Sequence, residues 1–329
     1  MHHSLINEGV LTVIAIVLDF GGTNIKLGIA REGRMLAGSR LAAYSGSGLL
    51  PRLNAAREAV LDLLARTGLT TADCGGVAIA LPGIVDPVRR TLLSINEKYA
   101  DAAGFAFEQW ARESFGLRLE MENDARAALL GETAYGIARG ETNAVLMTFG
   151  TGIGTAALMN GRIVRGRHYQ AGILGGHMAT DAYGEVCTCG NVGCLEAQAS
   201  HWSLPAWLAK QDGYRDSALA GASDIGYRRV VEASAANDPF AVRAMRHLLV
   251  HWSAGIVNLI HAYDPDLVVL SGGLMKSREL VVPELSRLVR ERAWTPWGDI
   301  RIAASRDPDS SVLLGLSHLL ERSDGHDAI

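Results

Sequence analysis

Several features are scarce or missing in this 329-residue chain, and each absence removes a class of function. There is no block of basic residues and the formal net charge is −4, so nothing offers a general attraction to a polyphosphate backbone or an anionic membrane surface. Neither nucleic acid nor membrane is an expected partner. Long apolar runs are missing too. Val13–Leu18 is too short to span a bilayer, and Ala241–Tyr263 is interrupted by Arg243, Arg246, His247, His251 and His261, which are costly in lipid. The first run reads as a buried strand and the second as a helix of a soluble protein. The opening residues hold no basic segment followed by a cleavage site. Of the four cysteines, three fall within residues 187–194, the distribution of a metal site and not of a secreted disulfide framework. Together these absences point to the cytoplasm.

What is present is ample apolar material, 48% of residues against 20% charged, enough for a large core. The length suggests two domains with a cleft between them. A structural echo supports that division. Near the start, V-I-A-I-V-L-D-F is an apolar strand leading through Gly21-Gly22-Thr23 to a second strand, a tight turn at Glu32-Gly33 and a third strand. About 130 residues later, A-V-L-M-T-F leads through Gly150-Thr151-Gly152 to a second strand, an Asn160-Gly161 hairpin turn and a third strand. Phe20-Gly21-Gly22-Thr23 and Phe149-Gly150-Thr151-Gly152 fall at equivalent points. Two similar half-structures facing each other would each bring a glycine turn to the cleft. Their backbone N–H groups and threonine hydroxyls suit a phosphate gripped from both sides. Two more apolar strands, residues 76–83 and 267–274, end in glycine, which makes Gly83 and Gly272-Gly273 either ligand contacts at strand ends or purely structural positions. The segment from Trp202 to about Asn237 is polar, with no readable motif.

Chemistry concentrates at three places. Asp19 ends the first strand directly before its glycine turn, where a carboxylate either meets the Mg²⁺ that accompanies nucleotide phosphates or caps the turn. Lys26 meets phosphate or sits solvated on its strand. The second place is Glu122-Asn123-Asp124, between an alternating strand from Leu117 to Met121 and an alanine-rich helix. Capping explains one of these residues and not all three. Phosphoryl transfer to an alcohol needs an acceptor for the hydroxyl proton, and Asp124 is placed to be that base. Asn123 suits a sugar hydroxyl, while Glu122 alternates to the other face as a structural residue. The third is His177, Cys187, Cys189 and Cys194, spaced H-x9-C-x-C-x4-C. One imidazole and three thiolates complete a closed, structural Zn²⁺ shell, and such a site would pin its loop and aim Glu196 into the cleft.

At these residues the sequence resembles the ROK family, which groups bacterial sugar kinases, among them glucokinases and N-acetylmannosamine kinases, with sugar-responsive repressors. The motifs are D-F-G-G-T-N-I-K at 19–26, L-P-G-I-V-D at 81–86, E-N-D at 122–124, F-G-T-G-I-G at 149–154, C-x-C-G-x-x-G-C-x-E at 187–196 and S-G-G at 271–273. The resemblance implies an α/β, actin-like and ribonuclease-H-like fold, each lobe a mixed sheet flanked by helices, closing on ATP, Mg²⁺ and a hexose. It implies an N-terminal lobe of residues 1–121 plus 311–329, a C-terminal lobe of residues 122–310, and a homodimer. By the same resemblance Asp124 is the catalytic base, and Asn96, Asn123, His177 and Glu196 surround the sugar. His177 serves both metal and sugar if each ring nitrogen takes one of them. One departure stands out. Where the family carries G-E-x-G-H, this chain has I-L-G-G-H, so Leu174 occupies the place of a sugar-binding glutamate. A buried leucine there cannot accept a hydroxyl proton, which argues for a sugar without that polar group or another polyol, unless Glu185 substitutes.

Two rival functions fare worse. A repressor of this kind carries an added N-terminal helix-turn-helix with a basic recognition helix, for which the residues before the first strand leave no room; a degenerate kinase that only binds sugar is the form in which a regulator survives. A nicotinamide oxidoreductase would need G-x-G-x-x-G followed by a helix, whereas G-T-G-I-G is followed by a strand and an Asn-Gly turn. The phosphate loop G-x-x-x-x-G-K-[ST] is also absent, which leaves the two glycine hairpins as the expected nucleotide grip.

Overall fold

The computed structural model describes residues 13–222 and 224–324. Residues 1–12 and 325–329, assigned above to the N-terminal lobe, lie outside the described residues, as does position 223 within the motif-poor segment.

The echo in the sequence is an echo in topology. Strands β1 (Ala15–Phe20), β2 (Asn24–Arg31), β3 (Arg34–Ala42), β4 (Gly76–Leu81) and β7 (Leu119–Asn123) form one sheet in the order β3-β2-β1-β4-β7, and the hairpin of β5 (Ile84–Asp86) and β6 (Thr91–Ser94) stands apart. Strands β8 (Ala144–Phe149), β9 (Ile153–Met159), β10 (Arg162–Ile163), β11 (Leu267–Gly272) and β12 (Arg301–Ala304) form a second sheet in the order β10-β9-β8-β11-β12. Both sheets are mixed in the same way: two antiparallel neighbours on one side, two parallel neighbours on the other. The turn residues behave as their types require. Glu32 and Gly33, and Asn160 and Gly161, all have positive φ, so each hairpin closes on two residues. The parallel strands β1 and β4 are buried along their whole length, while edge strand β3 alternates between exposed and half-buried residues, as covered and uncovered sheet faces dictate.

Helices cover both sheets. Against the first lie α1 (Leu50–Thr67) and α2 (Phe107–Phe115), and one core holds Leu53, Val60 and Phe107 with Leu18 and Ile79. Between β7 and β8 runs α3 (Asp124–Tyr135). The second half adds α4 (Leu195–Ala199), α5 (Leu204–Ala209), α6 (Tyr227–Ala235), α7 (Pro239–Tyr263) and α8 (Arg278–Arg292), then α9 (Pro308–Asp324). The motif-poor segment is irregular only in part, with turns between two short helices. It forms α5 and α6 and buries Leu204, Leu208, Leu219, Tyr227, Val230 and Val231 in the core around α7.

A third core joins the halves. It combines Val17 and Ala80 of the first sheet, Leu146 and Val269 of the second, and Leu129, Leu313 and Leu316 of α3 and α9. The two helices are topological equivalents, each following the last strand of its sheet, yet α3 packs on β8 and β9 and α9 packs on β1, β2 and β4. They cross at Gly131 and Gly315. A Cβ on Gly131 would lie 1.9 Å from the Ser311 carbonyl oxygen, and one on Gly315 would lie 1.8 Å from that of Ala127. Beside the crossing Glu132 is buried and accepts from both Ser305 and Ser311 hydroxyls. Its other oxygen accepts from the Ile137 N–H at 3.0 Å.

Candidate active site

Both glycine turns come to one place. The Thr23 and Thr151 hydroxyls are 3.1 Å apart although 128 residues separate them in sequence. The first turn is braced from below: Tyr99 donates to the Gly21 carbonyl at 2.9 Å and Ser45 to that of Gly22 at 2.8 Å. A Cβ on Gly22 would meet the Lys98 side chain at 2.7 Å, and one on Gly152 would meet Glu196 Oε1 at 1.9 Å. Both contacts are with the far ends of flexible side chains, so they mark how closely Lys98 and Glu196 approach the turns and do not by themselves require glycine. Among the described residues, a Cβ on Gly150 would have nothing within 4 Å. Gly272, at φ 88°, lies against the Phe149 backbone, where a Cβ would be 2.4 Å from the carbonyl oxygen, so its glycine is structurally demanded. Gly273 is open apart from a 4.0 Å contact to that oxygen.

Asp19 is buried at the end of β1, and its Oδ1 has no hydrogen-bond partner among the described residues. Burial pushes its carboxyl up to about 7; Lys26 pulls it down, while Asp124 and Asp309 push it further up. A buried carboxylate oxygen left without a partner is costly, and a divalent cation is one group that would satisfy it. Lys26 is not solvated freely: its Nζ lies 3.8 Å from Asp19 Oδ2 and 3.0 Å from Asp309 Oδ1.

Asp124 opens α3, and burial raises its carboxyl above the ordinary aspartate range against the opposing pull of Lys98. Its neighbour Asn123 is the cap, accepting from the N–H groups of Ala125 and Arg126 at 3.0 and 3.2 Å. The Asn123 amide donates to the Gly83 carbonyl at 3.1 Å and to Asp124 Oδ1 at 3.0 Å. The side chain expected on a sugar hydroxyl therefore has its oxygen and both amide hydrogens engaged. Gly83 is itself packed on the β6 side, where a Cβ would sit 2.5 Å from the Ser94 carbonyl oxygen. Glu122 points into the protein, as its alternation predicts. It is fully buried with Arg126 and Arg165, and Arg126 ties the 165–171 loop by donating to the carbonyls of Tyr169 and Ala171.

The ligand atoms of His177, Cys187, Cys189 and Cys194 all lie within 4.8 Å of one another. Cys189 and Cys194 sulfurs are 3.7 Å apart and His177 Nδ1 is 3.5 Å from the Cys187 sulfur, close to the ~3.8 and ~3.6 Å edges of a tetrahedron with Zn–S of about 2.3 Å and Zn–N of about 2.1 Å. Burial favours neutral thiols at Cys187 and Cys194, so a cation would have to supply the charge that converts them to ligands. The residues fit zinc. Nδ1 faces the sulfurs, whereas Nε2 is 3.4 Å from Glu196 Oε2, which leaves the second ring nitrogen on the cleft side beside the glutamate. Asn96 joins this cluster by donating to the Thr188 hydroxyl at 2.9 Å.

Two expectations need correction and one residue was missed. Leu174 is not buried; it is 39% exposed, directly before buried Gly175, where a Cβ would lie 2.7 Å from the Thr155 side chain and 2.9 Å from that of Leu259. Glu185 does not substitute for a cleft glutamate, since it pairs with Lys210 at 2.7 Å on the surface. Lys98, absent from the sequence reading, lies beside Gly22 and influences Asp124. Its neighbours Glu97 and Tyr99 both have left-handed backbone, φ 58° and 47°, a strain typical of functional loops.

Comparison with known proteins agrees with this geometry. The model of the ROK family matches residues 15–323. The glucokinase of Thermotoga maritima is 26% identical over 322 residues, covering 94% of this chain and 98% of that protein. The xylose repressor of Bacillus spizizenii is 25% identical over 246 residues, covering 74% of this chain, which spans only 60% of the repressor's length. Among solved structures, a ROK family glucokinase from Streptomyces griseus in complex with glucose and AMPPNP superposes with a TM-score of 0.77 at 26% identity, covering 93% of this chain and 98% of that one.

Proposed function

The chain belongs to the ROK family, and from that premise we propose that it transfers a phosphoryl group from MgATP to a hydroxyl of a hexose or hexose derivative. The observation that carries the reading is the meeting of the two glycine turns at Thr23 and Thr151, with the Asp19 and Asp124 carboxyls close enough to perturb one another. In this reading Gly21, Gly22, Thr23, Gly150, Thr151 and Gly152 supply N–H and hydroxyl donors to the phosphates once the threonine contact opens, with Gly272 and Gly273 on the nucleotide side. Asp19 and Lys26 face the phosphate end, and a magnesium ion there would offset the charge of the transferring group. Asp124 takes the proton from the attacking hydroxyl, and Lys98 favours its ionised form. His177 Nε2, Glu196 and Asn96 bind sugar hydroxyls, and Asn123 and Gly83 hold the base in place. Zinc at His177, Cys187, Cys189 and Cys194 is structural in this scheme. The lobes are residues 1–121 with 311–329 and residues 122–310, a division supported by the way α3 and α9 exchange sheets. Free thiols at the metal loop suit a reducing cytoplasm, and the family resemblance favours a homodimer, which light scattering would read.

The test is ADP release across a panel of hexoses, N-acetylated hexosamines and polyols, repeated with Asp124→Asn. Turnover should vanish in that variant while nucleotide affinity stays near wild type; retained turnover removes Asp124 as the base. The repressor relatives support a second reading, a sugar-binding regulator without turnover. It takes over if a panel sugar binds by calorimetry and no sugar releases ADP.

A further inference from the structure

The register of the first sheet sets three charged residues in a row. Asp19 of β1 pairs across with Lys26 of β2, and Lys26 pairs across with Arg40 of β3. Residues directly opposite on neighbouring strands project on the same face, so this row reads minus, plus, plus from the centre of the sheet to its edge. The first turn of α9 passes over it. Asp309 reaches down with one oxygen 3.0 Å from Lys26 Nζ and the other 3.1 Å from Arg40 Nη2. Lys26 is thereby held 3.8 Å from Asp19 Oδ2, outside hydrogen-bond range, and among the described residues Asp19 Oδ1 has no partner.

We propose that Asp309 is a positioning residue that draws Lys26 off Asp19 and so keeps the Asp19 carboxylate open to the divalent cation of the nucleotide. The inference rests on the kinase reading above. Lys26 has two carboxylates within reach and one ammonium to offer. Bound to Asp309, it stands near the phosphate end as a donor; released from Asp309, it closes on Asp19, the nearest remaining anion, and competes for the oxygen a cation needs. Loss of Asp309 also turns a balanced set of four charges into one with a net +1, which opposes a second positive charge at the same place. An acidic residue in the first turn of a helix is favoured by the helix dipole alone, but that role asks for neither a bidentate reach to two cations nor the gap between Lys26 and Asp19.

The experiment is Mn²⁺ binding in the presence of ATP, followed by electron paramagnetic resonance on the full chain, with sugar omitted so that no turnover is involved. Asp309→Asn should weaken Mn²⁺ binding about tenfold, the size expected for loss of one close counter-charge in a partly exposed setting. Asp309→Glu should restore most of the affinity, and Lys26→Met combined with Asp309→Asn should bind Mn²⁺ better than Asp309→Asn alone, because the competitor is gone. A purely structural Asp309 would lower the unfolding midpoint and leave Mn²⁺ affinity at the wild-type value; that result overturns the proposal, as does a double variant no better than the single one. Should the wild-type chain bind no Mn²⁺ with ATP, both the proposal and the kinase reading fail, whereas normal wild-type binding with an unaffected Asp309→Asn removes the proposal only.

Discussion

The crossing of α3 and α9 allows a sharp test, because two effects of opposite sign meet at one atom. Replacing Gly315 by alanine in mid-helix would ordinarily stabilise the protein by about 1 kcal/mol through helix propensity. Here the new Cβ would stand 1.8 Å from the Ala127 carbonyl oxygen and 2.8 Å from the Gly131 nitrogen, where a carbon–oxygen contact needs about 3.3 Å. The neighbour is backbone, so no rotamer change relieves it, and the helices must part by more than 1 Å, on the order of the missing contact distance. Overpacking of this kind costs about 3 kcal/mol, which leaves a net loss of about 2 kcal/mol and a fall of about thirtyfold in the folding equilibrium. Urea unfolding of Gly315→Ala should show a lower midpoint with an unchanged slope. Gly38→Ala is the control: its Cβ would meet nothing nearer than the Leu27 carbonyl oxygen at 3.7 Å, and it should stay within about 0.5 kcal/mol of wild type. Combining Gly131→Ala with Gly315→Ala should cost less than the sum of the two, since helices already parted pay little for the second methyl. A Gly315→Ala protein as stable as wild type, or more so, would refute the crossing. Because α3 carries Asp124 at its first position, the same variant should also lose turnover, by up to about a hundredfold for a displacement near 1 Å.

Other outcomes follow from the site and its surroundings. Cys189→Ser should abolish stoichiometric zinc, measured by mass spectrometry of the metal, and make residues 180–194 protease-sensitive; native protein without zinc would count against the cluster. Lys98→Met removes a charge that lowers the Asp124 carboxyl, so the acid limb of the turnover profile should move to higher pH, and an unmoved limb would detach Lys98 from the base. His251 is held down to about 4 from an ordinary 6.5, by burial first and by His247 next, with Asp181 opposing. The unfolded ring takes its proton before the folded one, so stability should be lost as pH falls from about 6.5 towards about 4; His251→Gln should flatten that slope in urea titrations at stepped pH.

How much of this was legible in the amino-acid order depended on how far apart the interacting residues lie. The triple-stranded units could be read because their turns are local: Glu32-Gly33 and Asn160-Gly161 declare themselves by residue type and adopt the φ values those types permit. Asn123 as a helix cap and the buried alternation of Glu122 were local as well. The α3–α9 crossing was not legible, since Gly131 and Gly315 carry no mark that they meet. Residues 202–237 looked motif-poor because α6 puts Tyr227, Val230 and Val231 on one face among arginines and is only nine residues long, too short for a periodic signal. Lys98 was hidden for a different reason. It lies in a loop whose shape is imposed by Tyr99 reaching the Gly21 carbonyl, 78 residues away. The exposure of Leu174 was misjudged because burial is a property that only neighbours in space can fix.

The matched sheets have one further consequence. Superposing the two strand orders sets Asp19 of β1 on Thr148 of β8, each directly before the phenylalanine that leads into its turn. Across from Asp19 stands Lys26, but across from Thr148 stands Gly154. A duplicated scaffold with equal ends could seat an elongated anion either way round. Here the ionic pair on the sheet itself stands on one side only, so in the proposed reading the two turns would meet a tail of linked phosphates unequally, with a single head and a single foot.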